Sequence, residues 1–286
     1  MHDRRRAVLP VFLAVAGVLA WPAAASGAEQ AQGAQRLAPQ AATAPLPPAR
    51  TSSLLDGRSA DGRRTTGRFF QNLGRNAVGV FSTGNLRPLL IGATAAGAGS
   101  FFDEDAREFF ADQDRFAALG RTGARIGEAG PVAVTALALF ASGRASGSPR
   151  FRAMTYDVAQ AFLVNGAYTH ALKNLVGRRR PDGSNRHSFP SGHASNAFAW
   201  ATVAGHHYGP KVGVPAFAVA ALVGASRLER NVHHVSDVVA GAALGYIVGR
   251  TVVREDGQPL GRPRWSLVPA LGPSGTGVGL GLSVSY

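Results

Sequence analysis

Apolar residues in this chain gather in blocks separated by Gly- and Pro-bearing breaks, and they seldom alternate with polar ones. The blocks cover residues 89–102, 131–140, 154–176, 194–204, 212–225 and 238–253. Runs of that length between helix breakers predict helix after helix, and so an all-α helical bundle. Each block falls short of the ~20 clean apolar residues that a bilayer crossing requires. One also carries Asp157, Asn165 and His170. The pattern favours core helices of a water-soluble bundle, with transmembrane helices as the alternative.

The flanks differ. Phe69, Leu73, Ala77 and Phe81 recur at four-residue intervals, which predicts a helix packed on the bundle; docking on an anionic membrane surface is its alternative. At the far end Val278, Leu280, Leu282, Val284 and Tyr286 alternate strictly behind "RWSLVPAL" and "GPSG", the pattern of a short C-terminal β-hairpin. At the start, Arg4, Arg5 and Arg6 precede an apolar run closed by small residues. That predicts a signal peptide over residues 1–28, cleaved after Ala25 or Ala28. An Ala-, Gln- and Pro-rich disordered linker over 29–60, a helical domain over 61–255 and a tail over 256–286 complete the expected organisation. Export is expected, with the periplasm as destination and membrane association as a further expectation.

Composition narrows the chemistry. The chain has no cysteine, so disulfides, thiolate catalysis and zinc–thiolate sites are excluded. Its formal net charge of +13 favours anionic partners: phosphorylated metabolites, anionic lipid or nucleic acid. No nucleic-acid-binding module is apparent, so nucleic acid is not expected.

Three stretches carry candidate chemistry. In "KNLVGRRRP" (173–181) Gly177 is a natural helix stop and Pro181 keeps the helix from resuming, so Lys173 and one or more arginines project from a loop. Guanidinium forks and an ammonium suit phosphate oxygens. In "FPSGHASNAFAW" (189–200) Ser191 is a good N-cap, Gly192 admits a close backbone approach, and His193 falls in the first turn. Such a helix N-terminus attracts anions. In "SRLERNVHHVSD" (226–237) His233 and Asp237 stand four residues apart and on a helix would share a face. A carboxylate that fixes one ring nitrogen leaves the other free to act as nucleophile. His234 remains open as a partner of Asp237 at i,i+3. Cations, a helix N-terminus and two histidines are the parts that phosphoryl transfer uses.

Two other clusters read more plainly. His206 and His207 sit at an expected helix C-terminus, where positive charge is favourable, and are not expected to bind metal. "FFDEDAREFF" lacks calcium-loop spacing, so it predicts a solvated acidic helix face with its phenylalanines buried.

Together the three stretches resemble the type 2 phosphatidic acid phosphatase family, which includes bacterial acid phosphatases and vanadium haloperoxidases. The family pattern is K-x6-R-P, P-S-G-H and S-R-x5-H-x3-D. It is matched here by Lys173, Arg180 and Pro181; Pro190, Ser191, Gly192 and His193; and Ser226, Arg227, His233 and Asp237. This spacing selects His233 over His234, which stands where relatives often carry an aromatic residue. The resemblance implies a metal-free, cofactor-free phosphatase that forms a phosphohistidine at His233, oriented by Asp237. Lys173, Arg180, Arg227, Ser191 and the Gly192 N–H would hold the phosphoryl oxygens, and His193 would serve as proton donor. The implied substrate is a phosphomonoester or diphosphate, lipid-linked among the options. The alternatives are a vanadate-dependent haloperoxidase with vanadate as cofactor (for a phosphatase it would be an inhibitor) and a non-catalytic protein that binds anionic surfaces.

Overall fold

A computed structural model describes residues 64–111, 121–122, 132–257, 264–271 and 278–285. The signal peptide and linker expected over 1–60 lie outside the described residues. The helical unit contains α1 (Phe69–Gly79), α2 (Leu86–Gly99), α3 (Asp103–Ala111), α4 (Val132–Ala145), α5 (Pro149–Val176), α6 (Gly192–Tyr208), α7 (Pro210–Glu229) and α8 (Val235–Gly257). The six apolar blocks fall on α2 and α4–α8, so the helical body is as expected. Residues Gly257–Tyr286 make a separate unit, in which β1 (Arg264–Leu271) runs antiparallel to β2 (Val278–Ser285). The alternation over residues 278–286 is what predicts a hairpin here.

Local chemistry fixes the long helices. The Ser148 Oγ accepts the Phe151 N–H at 3.3 Å ahead of α5, and Pro149 follows at the first helical position, where its missing N–H is no loss. Gly177 ends α5 in the left-handed region (φ 57°) and donates its N–H to the Lys173 carbonyl at 3.0 Å, the helix stop that the sequence predicts.

The core joins Val158, Ala161 and Val164 of α5 to Phe198 and Val203 of α6, Phe217 and Ala220 of α7, and Tyr246, Val248 and Val252 of α8. One contact sets the register that the site depends on. Gly241, Gly245 and Gly249 recur at four-residue spacing along α8. A methyl on Gly241 would overlap the Ser191 carbonyl, and one on Gly245 would overlap the Ser195 carbonyl. On Gly249 it would stand 2.9 Å from the Ala199 oxygen. Only glycine lets α8 lie this close to the backbone of α6. A second apolar cluster, with Ala106 and Phe110 of α3 against Leu228, Val235 and Val238, supports the start of α8.

Of the polar residues noted in this block, Asp157 and Asn165 are buried with partners and His170 is exposed. Asp157, 0% exposed, accepts from Arg64 Nε at 2.7 Å and Nη2 at 2.9 Å, and pairs with His207 Nε2 at 2.7 Å. Asn165 donates to Asn196 Oδ1 at 2.6 Å and accepts from Ser195 Oγ at 2.5 Å. Helix α1 packs on α5 as expected, but through its polar side as well: buried Asn72 donates to the Tyr156 hydroxyl at 2.8 Å. Phe81, one of the four apolar positions spaced along the stretch, is 71% exposed.

Two helices, Pro210–Glu229 and Val235–Arg254, are long and apolar enough to cross a membrane by length and composition, a test that buried core helices also meet. The apolar blocks are shorter than these helices because the helix ends are polar. Large apolar side chains are exposed on several helices, among them Leu90, Val134, Leu137 and Val214.

Candidate active site

Three loops meet at the start of α8. The turn after α7 passes through Asn231 in the left-handed region (φ 55°), a conformation that asparagine tolerates better than most residues. The Val232 N–H returns to the Arg227 carbonyl at 3.2 Å, and the Asn231 carbonyl accepts the Asp182 N–H at 3.0 Å. That last bond ties the turn bearing His233 to the loop bearing Arg180. The Ser191 N–H donates to the Asp237 carbonyl at 2.9 Å, which ties the entry of α6 to α8.

The predicted residues converge on this junction. His233 and Asp237 are both buried, with His233 Nδ1 3.8 Å from Asp237 Oδ2, an ion-pair separation longer than a hydrogen bond. They do not share a helix face as expected: α8 begins at Val235, so His233 belongs to the turn before it. His234 meets Asp237 through its backbone, donating its N–H to Oδ2 at 2.9 Å. Burial pushes the His233 imidazole below its ordinary value, as do the charges of Lys173 and Arg180, while Asp237 opposes the shift. Lys173 donates to the His187 carbonyl at 2.5 Å, and burial, with the Arg180 charge, lowers its ammonium to about 8.

Ser191 stands at the N-cap of α6, but its side chain makes no capping hydrogen bond. The expected N-cap position is met, without a side-chain capping bond. The first turn of α6 is instead held through the Ser191 backbone, whose carbonyl accepts the Ser195 N–H at 3.0 Å. A methyl on Gly192 would stand 3.3 Å from Thr169 Cγ2, and this brings Thr169, one turn before Lys173 on α5, to the same place. His193 follows in the first turn of α6, and buried Arg227 lies in the last turn of α7. Among the described residues Ser191 Oγ, Thr169 Oγ1, Arg180 Nε and His233 Nδ1 are buried without a hydrogen-bond partner. Ser191 Oγ, Thr169 Oγ1 and Arg180 Nε are donors, and the Arg180 charge reaches the His233 imidazole; donors of this kind suit an anion.

Residues that the family pattern does not name complete the site. Asp237 Oδ1 accepts from Arg178 Nη1 at 2.8 Å, and Oδ2 accepts from Ser188 Oγ at 2.5 Å. Asp103, expected on a solvated face, reaches Arg178 Nη2 at 2.8 Å and the Ser236 N–H at 2.9 Å. The expectation that the phenylalanines of this stretch are buried holds for Phe110 and fails at Phe101, which is 84% exposed. Arg178 was visible only as one of three adjacent arginines, and nothing in the run sorts them. Among the described residues no group of His, Cys, Asp or Glu could hold a metal ion.

A model of the PAP2 superfamily matches residues 155–256, a segment that holds all three motifs. Residues 155–256 match the PAP2 superfamily. The resemblance drawn from the motifs is met by this match. The chain is 41% identical over 99 residues to a lipid A 1-phosphatase of Porphyromonas gingivalis, covering 34% of this chain and 22% of that protein. It is 38% identical over 106 residues to a decaprenylphosphoryl-5-phosphoribose phosphatase of Mycobacterium tuberculosis, covering 33% of this chain and 56% of that protein. The chain thus spans a fifth to somewhat over half of the length of these curated relatives. Among solved structures, a transmembrane PAP2 type phosphatidylglycerolphosphate phosphatase from Bacillus subtilis aligns with a TM-score of 0.44 and 21% identity, over 66% of this chain and 94% of that one.

Proposed function

We propose that this chain is an exported, membrane-associated phosphatase that hydrolyses a phosphomonoester or diphosphate, a lipid phosphate included, through a phosphohistidine. The observation that carries the reading is the grouping of Lys173 and Arg180 with His233, whose imidazole both cations push down, with Arg180 Nε and Ser191 Oγ buried and unpartnered. Asp237 faces Nδ1, so His233 Nε2 attacks phosphorus as the bond to the leaving oxygen breaks. The His233–Asp237 pair shortens to a hydrogen bond as the imidazole gains positive charge. His193 gives its proton to the leaving oxygen, then takes one from the water that attacks the phosphohistidine, which releases phosphate and restores His233. Lys173, Arg180, Arg227, the Ser191 hydroxyl and the Gly192 N–H take the phosphoryl oxygens, and preorganised donors of this kind supply the larger part of the rate.

The names of the relatives, both phosphatases of lipid-linked phosphates, support a substrate of that class. So do Leu175 and Val176, exposed apolar residues that end the helix bearing Lys173. Membrane association is supported by the two long apolar helices. Export rests on the expected signal peptide alone, and the terminal hairpin on its alternation.

The test is hydrolysis of an aryl phosphate and of detergent-dispersed lipid phosphates by purified protein. The wild-type chain releases phosphate and vanadate inhibits it, while His233→Ala is inactive with an unchanged circular dichroism spectrum. Full turnover by His233→Ala overturns the mechanism. Halide-dependent peroxide oxidation with added vanadate, without hydrolysis, overturns the activity in favour of a haloperoxidase. Salt-sensitive binding to anionic vesicles with neither reaction leaves the chain a non-catalytic binder.

A further inference from the structure

We propose that Asp103 and Arg178 are positioning residues of the phosphoryl-transfer site, fixing the Asp237 carboxylate and through it the His233 imidazole. The proposal rests on the phosphatase reading and adds to it Asp103, which lies outside all three motifs, and Arg178, an unassigned position within the first.

The geometry divides the work between the two oxygens of Asp237. Oδ2 faces His233 and accepts from Ser188 Oγ at 2.5 Å and the His234 N–H at 2.9 Å. Oδ1 has a charged donor, Arg178 Nη1, at 2.8 Å. With both oxygens held, the carboxylate plane cannot rotate Oδ2 away from the imidazole. Arg178 is itself fixed: Nη1 also donates to Ser236 Oγ at 2.6 Å, and Nη2 donates to Asp103 Oδ2 at 2.8 Å. Asp103 opens α3 and accepts the Ser236 N–H at 2.9 Å and the Ser236 hydroxyl at 2.8 Å. It therefore supplies from another helix an acceptor for a first-turn N–H of α8. A planar guanidinium spans two carboxylates and a hydroxyl at once, and an ammonium cannot reproduce that fork.

Charge makes the same case. Asp237 alone would be strongly attracted to Arg178, which would weaken its hold on the imidazolium that forms at His233. A second carboxylate on the far side of the guanidinium offsets that attraction and leaves more of the Asp237 charge for His233. The other charged groups facing His233 are Lys173 and Arg180, and Asp182 lies close enough for His233 to perturb it. None of them touches Asp103 in the hydrogen bonds described above.

The test uses the full chain with Asp103→Asn, Arg178→Gln, Arg178→Lys and the double variant, beside wild type and His233→Ala. Each single variant is expected to lower kcat about tenfold or more while KM stays within about twofold, since positioning acts in the transition state. The double variant should lose no more than Arg178→Gln alone, because both act through one contact. Wild-type kcat in the singles, additive losses, or a loss confined to KM overturns the proposal. Should wild type hydrolyse no phosphate ester, the phosphatase reading fails, and NMR titration of the His233 imidazole decides this proposal independently. Arg178→Gln should raise the His233 pKa and Asp103→Asn should lower it. An imidazole that titrates unchanged in both overturns the role.

Discussion

Replacing Gly245 with alanine sets two effects of opposite sign against each other. In an isolated helix the change gains about 1 kcal/mol, because alanine is the better helix former. In this fold the new methyl would overlap the Ser195 carbonyl oxygen and stand 2.8 Å from its carbon and 2.9 Å from the Ala199 nitrogen, where ordinary contacts begin at 3.4 Å. All three atoms are backbone, so no rotamer relieves the clash and α8 must move away from α6. Overpacking of this kind costs about 1–3 kcal/mol, and a backbone-on-backbone clash belongs at the upper end. The net expectation is a loss of about 2 kcal/mol, or a fall in Tm of about 4–8 °C for a body of this size. Gly97→Ala provides the control, since Gly97 lies in α2 with nothing within 4 Å of the added methyl; it should gain stability. Thermal unfolding followed by circular dichroism measures both. Should Gly245→Ala melt at or above the wild-type temperature, the close approach of α6 and α8 is wrong, and with it the register that brings Ser191 to Asp237.

Other predictions follow from the charges. Burial holds the His233 imidazole below 6.5, with Lys173 and Arg180 acting in the same direction. A nucleophile must be unprotonated, so the acid limb of kcat/KM should lie below pH 6.5, and a limb above it in the pH profile would contradict the buried placement. Lys173, lowered to about 8, loses its charge as pH rises through that value, so competitive inhibition by phosphate should weaken about tenfold per pH unit above it. A guanidinium keeps its charge in that range, so Lys173→Arg should flatten the decline through about pH 10; parallel inhibition curves would refute the assignment. Asp157→Asn leaves Arg64 and His207 facing a neutral amide and should destabilise the fold by about 3–5 kcal/mol in chemical unfolding. A smaller loss, under about 1 kcal/mol, would show that Asp157 does not anchor them.

The helical body was legible in the sequence because its code is local. A block of apolar residues closed by glycine or proline has few other ways to fold, and Gly177 ends α5 where the pattern placed the stop. The motif residues were legible for another reason: phosphate chemistry restricts residue type and spacing so tightly that Lys173, Arg180, His193 and His233 stand out of the surrounding alanine and valine. The glycines of α8 were also in view, but a glycine in an apolar helix reads as weakness until the opposing backbone is known. Hidden altogether were the partners of buried charge. Asp103 lies 75 residues from Arg178 and 133 from Ser236, and an acidic cluster at a helix start is, taken alone, an ordinary solvated face.

That difference has a physical origin. An apolar position is satisfied by any apolar neighbour, so its burial can be inferred without knowing which neighbour it meets. A buried carboxylate is tolerated only beside particular donors, and the sequence names neither the donors nor their direction. Asp157 and Asp237 illustrate the point from opposite sides. Each is fully buried and each accepts from an arginine and faces a histidine. At Asp157 the histidine is in hydrogen-bond contact at 2.7 Å, and Arg64 holds the carboxylate through Nε and Nη2. At Asp237 the histidine stands off at 3.8 Å, and its Nδ1 has no hydrogen-bond partner. The same three residue types make a structural anchor where every group is satisfied and, in the proposed function, a reactive site where one imidazole is not.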